Sequence, residues 1–205
     1  MGKFIVFEGI DGAGKSTQVE LLKKKLEAMG RKVALTAEPT DLESGRALRE
    51  ALSGRVKKNE CEMATMFVLD RIAHNKCAEN GIEALLEAGY DVISDRYYYS
   101  TLAYQGQTTD YGWVKAMNTL CPEIRRPDLC IYLDLLPEQS LARISKRGEA
   151  VEIYENLDRL TGVRNAFLSV IDDLNSEGEK IFAVNADRSP EEISEEIFEI
   201  VNRIY

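Results

Sequence analysis

The segment from Gly9 to Ser16, Gly-Ile-Asp-Gly-Ala-Gly-Lys-Ser, limits what this chain can become more than any other. It satisfies G-x-x-x-x-G-K-[ST], and its flanks complete the pattern: Lys3-Phe-Ile-Val-Phe-Glu8 reads as a buried strand, and the residues from Lys15 onward read as a helix. Glycines let such a loop turn its backbone N–H groups inward, at a helix N-terminus whose dipole also attracts negative charge. The pattern is that of a loop wrapped around nucleotide phosphates, with Gly9, Ile10, Asp11, Gly12, Ala13 and Gly14 forming an ATP cradle and Thr17 behind it. Lys15 is expected to reach the β/γ-phosphates and the Ser16 hydroxyl to ligand Mg²⁺. A glycine turn of purely structural use has no need of strand, loop and helix in this order.

The rest of the chain repeats that alternation. Short apolar segments at 3–8, 32–36, 90–94, 129–133 and 180–184 read as strands. Helical spacing is expected over 15–29, 43–52, 60–88 (with a break near Asn80-Gly81), 100–105, 111–120, 137–146 and 154–178. A final helix opens with a capping box, Ser189 with Glu192, and Pro190 at its first position. Strands alternating with helices predict an α/β P-loop NTPase-type three-layer fold, with a five-stranded parallel sheet covered on both faces. At 205 residues, without repeat or linker, the chain reads as a single domain over 1–205. Ligands of open α/β sheets lie beyond the carboxyl ends of the strands. The motifs at Gly9, Glu38 and Asp95 all follow strand ends, so they should converge on one cleft.

Charge narrows the partners. The chain carries 26 basic and 35 acidic residues, a formal net charge of −9, which argues against a coat of nucleic acid or docking on a membrane surface. An acidic protein that binds nucleotides must gather its positive charge locally. His74 is the only histidine, and the four cysteines show no C-x-x-C spacing, so a zinc site or a histidine-dependent triad is disfavoured. The cysteines read as reduced and mostly buried, the N-terminus shows no signal-peptide pattern, and the expectation is a cytoplasmic enzyme.

Asp95 follows an apolar strand and has the placement of a Walker-B-type carboxylate for Mg²⁺, directly or through water. Asp134 also ends a strand and is the rival. Asp95 is preferred because Arg96 comes next, placing a cation beside the same phosphates.

With these residues in view, the chain resembles the thymidylate kinases almost from end to end. The resemblance is carried by Phe7 to Thr17, Glu38-Pro39, a Phe-x-x-x-Arg from Phe67 to Arg71, Asp95-Arg-Tyr97, Ser-Thr-x-Ala-Tyr-Gln-Gly from Ser100 to Gly106, Arg126-Pro-Asp-Leu129 and Arg147-Gly-Glu149. It implies ATP and dTMP as substrates, Mg²⁺, a homodimer formed through helix packing, and a lid at about 147–153. It also implies roles. Asp11 bonds the 3′-hydroxyl of the acceptor sugar, Phe67 stacks on thymine, and Arg71 donates to the base O4. Arg96 serves the acceptor phosphate and the transition state, Tyr104 lies against the 2′ carbon, and Gln105 pairs with the base. Glu38, Pro39, Ser100 and, on a looser motif, Arg49 complete the dTMP side. The i, i+4 spacing of Phe67 and Arg71 puts both on one helix face. By residue type alone, Phe67 reads as core and Arg71 as a surface ion pair, for instance with Asp70 or in the neighbourhood of Glu79.

The chain departs from the family's pattern at three places. Gly12 stands where some members have arginine, Ala37 precedes Glu38 where many have arginine, and the lid holds no basic residue after Arg147. The donor-side cation must then be Arg143, Lys146, Arg147, Arg159 or Arg164. Arg147 is preferred as catalytic, with Arg143 on the ATP. The alternatives are a deoxynucleoside kinase, in which Glu38 is the base, and a P-loop switch ATPase.

Overall fold

A computed structural model of the chain describes residues 2–145 and 153–205, without the side chains of 153–156. Its elements follow the expected alternation: β1 (Phe4–Glu8), α1 (Lys15–Ala28), β2 (Val33–Ala37), α2 (Glu43–Leu52), α3 (Glu60–Lys76), α4 (Ile82–Glu87), β3 (Asp91–Asp95), α5 (Tyr98–Tyr104), α6 (Tyr111–Thr119), β4 (Leu129–Asp134), α7 (Pro137–Ser145), α8 (Ile153–Ser176), β5 (Ile181–Asn185) and α9 (Pro190–Asn202). All strand pairs are parallel, in the order β2-β3-β1-β4-β5. Helices flank the sheet. α1 packs with α9, and α5 packs with α8. This is the α/β P-loop kinase-like fold that the pattern predicts.

The central strands are apolar throughout because both their faces are covered. Phe4, Ile5, Val6 and Phe7 of β1 are fully buried, as are Val92 and Ile93 of β3 and Ile131, Tyr132 and Leu133 of β4. The edge strands β2 and β5 are partly open to solvent. The long helical segment after Glu60 breaks between Lys76 and Ile82, and Asn59 and Glu62 close a capping box at its start. The last helix has the expected box, Ser189 with Glu192. No helix among the described residues is long and apolar enough to cross a membrane.

Two expectations are corrected. Only Cys130 is buried; Cys61 is exposed, Cys77 and Cys121 are half-buried, and all four are free thiols. Cys130 lies on a central strand, whereas Cys61 stands in the first turn of α3, outside the core. The helix expected from Ser100 begins at Tyr98, because Tyr98 and Tyr99 turn inward and hydrogen-bond Glu179 at 2.7 and 2.6 Å.

Candidate active site

Strand register brings the motifs to one level. Asp95 stands beside Phe7 on one side and Ala37 on the other, so the segments leaving β1, β2 and β3 emerge together. They border a cleft of about 610 Å³ lined by Asp11, Lys15, Ser16, Glu38, Asp95, Arg96, Tyr104 and Arg159. Leu141, Ile144, Leu160 and Val163 supply an apolar wall from α7 and α8.

The phosphate loop is held from several directions. At Gly9, φ is 147° and a Cβ would stand 2.8 Å from the Leu133 carbonyl oxygen, so only glycine lets β1 turn here. Gly12 has φ of 77°, and a Cβ there would meet Ser140 of α7 at 3.0 Å, so an arginine at this position is disfavoured twice. The Ser140 hydroxyl donates to the Asp11 carbonyl at 2.5 Å. Arg143 spans from the Gly12 carbonyl (3.4 Å) to the Ala186 carbonyl (2.8 Å). The Lys15 ammonium donates to the Gly9 and Ile10 carbonyls at 3.0 and 3.3 Å. Burial, and then the nearby Arg96 charge, lower its pKa to about 8.

Ser16 donates its hydroxyl to Asp95 Oδ2 at 3.3 Å, so the two side chains proposed for the metal meet at the cleft. Both offer hard oxygen donors, and Mg²⁺ is held by one or two carboxylates together with substrate phosphates, so the pair fits that ion. The rival, Asp134, is engaged by both Nε and Nη2 of Arg164, at 2.7 and 2.8 Å.

Arg96 adopts φ of 73°, a conformation that costs on the order of 1–3 kcal/mol in a side-chain-bearing residue and persists where the surroundings impose it. Its Nη2 donates to Asp11 at 2.6 Å and its Nη1 to Ser100 at 2.9 Å, and its guanidinium lies 5.8 Å from the Tyr104 ring centre. Burial opposes its charge, but Tyr104, Glu8, Asp11 and Asp95 more than offset it, so the net shift is upward. Glu8, 1% exposed, accepts from Tyr97 N, Ser100 N and the Ser100 hydroxyl. Burial raises its pKa against the lowering effect of Arg96.

Glu38, joined to Pro39 by a cis peptide bond, accepts from Arg71 Nε and Nη2 at 2.9 and 2.6 Å. Its other oxygen meets His74 Nδ1 at 3.0 Å, and His74 Nε2 lies 2.6 Å from the Thr36 hydroxyl. Arg71 is therefore in a buried ion pair rather than the surface pair expected from residue type. It also donates to Asn118 and to Thr101 (3.1 Å), so a single N–H of its five is left for a base. Asp70 instead binds Thr40 N, Thr40 Oγ1 and Ser44 Oγ, fixing the turn after β2.

Phe67 is half-buried and, among the described residues, lies outside the core cluster and the side chains packed against it. Gln105 Oε1 is buried without a hydrogen-bond partner among the described residues, an acceptor suited to a base N–H. Arg49 donates to the Pro39 carbonyl and to Asp41, both at 2.8 Å; like Phe67, Arg71, Ser100 and Gln105, it is not among the residues lining the cleft. Arg147 and Lys146 lie outside the described residues. Sequence reasoning missed Glu8, Asp70 and His74 as parts of the site. The signal for Glu8 was a carboxylate closing a wholly apolar strand, which must find buried donors.

The thymidylate kinase sequence profile matches residues 7–197. The chain is 39% identical over 207 residues to a "Probable thymidylate kinase" of Pyrococcus abyssi, covering 98% of this chain and 96% of that protein. It is 40% identical over 203 residues to the protein of that name in Pyrobaculum aerophilum, covering 98% and 97%. A "Thymidylate kinase" of Leptospira borgpetersenii is 35% identical over 200 residues, covering 98% and 93%.

Proposed function

The chain belongs to the thymidylate kinase family, and on that premise we propose that its cleft transfers the γ-phosphoryl group of ATP to the phosphate of dTMP, giving ADP and dTDP. The observation that carries this reading is the meeting of the Gly9–Ser16 loop, Asp95 and Arg96 in one cleft. The loop amides and Lys15 hold the donor phosphates, and Arg96 faces the acceptor phosphate and the charge that develops on the transferred group. Asp11, tied to Arg96, receives the 3′-hydroxyl of the sugar. Tyr104 closes the space beside the 2′ carbon, and Phe67, Arg71 and Gln105 hold the base. The acceptor phosphate is already anionic, so no side chain is needed as a strong base. Ser16 and Asp95 would hold Mg²⁺, which would supply neutralisation of the β/γ charge when bound.

The donor-side cation is assigned to Arg147 in the lid at about 147–153. Arg159 is the second candidate: it lines the cleft and has no hydrogen bond or ion pair among the described residues, whereas Arg143 and Arg164 are engaged. Lid closure would exclude water, the competing acceptor. The working unit is a cytoplasmic homodimer, which sedimentation tests.

A deoxynucleoside kinase is disfavoured by Glu38, because both its oxygens are occupied by Arg71 and His74 and neither is placed to take a proton from a sugar hydroxyl. ADP release from Mg-ATP, measured with a panel of nucleosides and monophosphates, tests the assignment. Turnover with dTMP is expected. Turnover only with thymidine points to the nucleoside kinase, and turnover needing no acceptor points to a switch ATPase.

A further inference from the structure

Glu8 ends β1 with its carboxylate sealed from solvent, and the reaction outlined above leaves it without a role. Every hydrogen bond of the carboxylate among the described residues runs to the segment that carries Arg96. Oε1 accepts from Tyr97 N at 2.9 Å and Ser100 N at 3.0 Å, and Oε2 accepts the Ser100 hydroxyl at 2.6 Å. The Ser100 oxygen in turn accepts from Arg96 Nη1 at 2.9 Å. The Arg96 backbone N–H donates at 2.9 Å to the carbonyl of Phe7, the residue before Glu8. Tyr97, at the head of α5, makes no side-chain cap of its own, so Glu8 supplies those acceptors from another element. The left-handed backbone of Arg96 is thus clamped on both sides by the last two residues of β1.

We propose that Glu8 is a positioning residue for the phosphoryl transfer: through the Ser100 hydroxyl and the Tyr97 and Ser100 amides, its carboxylate fixes the Arg96 guanidinium where charge develops. The proposal rests on the reading of Arg96 given above. It distinguishes Glu8 from a helix cap with no bearing on the reaction. Ser100 is held between Glu8 and Arg96, so what it contributes to dTMP passes through Arg96. Donor binding should be spared, because the phosphate loop has separate anchors in Ser140 and Arg143.

Glu8→Gln tests this. The amide keeps an acceptor for the backbone N–H groups, removes the charge facing Arg96 and presents N–H donors to the Ser100 oxygen. Misplacing a reacting group by about 1 Å costs ~10²-fold, and a fall of that order in kcat is expected, with the KM for ATP unchanged within about twofold. In an Arg96→Ala background the same change should cost nothing further, because the group it positions is gone. Unchanged kcat with only a lower melting temperature overturns the proposal, and so do losses that multiply in the double variant. If Glu8→Gln gives no soluble protein, Ser100→Ala carries the same two expectations and the same overturning results. Arg96→Ala is measured first: wild-type kcat there removes the reading of Arg96 itself, a failure separate from that of Glu8.

Discussion

Around the groups assigned to dTMP, Glu8, Ser100, Arg96 and Asp11 are joined by hydrogen bonds of 2.6 to 2.9 Å, and Glu38 holds both Arg71 and His74. Around those assigned to ATP, Lys15 bonds only carbonyls of its own loop, and Arg159 has no hydrogen-bond partner among the described residues. The cations assigned to dTMP are thus oriented by acidic partners, while Lys15 and Arg143, assigned to ATP, bond only backbone carbonyls among the described residues. Fixed dipoles and charges need no reorganisation when the transition state forms, which makes the acceptor side the preorganised half. In the proposed reaction the bound polyphosphate would draw the donor-side cations together.

The largest effects should come from the two cations at the centre. Lys15→Ala and Arg96→Ala should each lower kcat by on the order of 10²–10³-fold, as for loss of a pre-aimed charge-stabilising group. Steady-state kinetics check this, and near-normal kcat in either removes its role. A comparison of Arg147→Ala with Arg159→Ala then sharpens the donor half: the residue whose loss cuts kcat more is the donor-side cation. If neither matters, the donor half needs no such cation.

Smaller effects probe the base. Phe67→Ala should raise the KM for dTMP by about tenfold, since stacking on a base is worth ~1–3 kcal/mol, and leave the KM for ATP in place. Its cost in stability, read by urea unfolding, should stay well under the ~3–5 kcal/mol of a core Phe→Ala, because Phe67 lies outside the core cluster. Tyr104→Ala should relax discrimination against ribonucleotides; an unchanged deoxy/ribo ratio counts against that contact. The mildest probe is pH. Lys15 binds phosphate as a cation and titrates at about 8, so kcat/KM for ATP should fall as pH rises past that value. A flat profile to pH 10 would show that Lys15 keeps its proton.

The fold was legible because burial on both faces writes continuous apolar runs. The segment 90–94 was expected as a strand and Asp91–Asp95 is one, a shift of a single residue. The phosphate loop, Asp95 and Arg96 were legible because they follow strand ends at fixed offsets. The supports were not. Glu8 meets Ser100 across 92 positions and Glu38 meets Arg71 across 33, and no local spacing encodes such pairs. Residue type misled at Arg71, since an arginine is ordinarily exposed and this one is 1% exposed only because Glu38, Asn118 and Thr101 take up its donors.

In the proposed reaction, phosphoryl groups leave ATP for dTMP rather than for water. Chromatographic measurement of dTDP and ADP formed from Mg-ATP and dTMP tests it most directly. One dTDP for each ADP is expected throughout the time course. ADP accumulating without dTDP would contradict it.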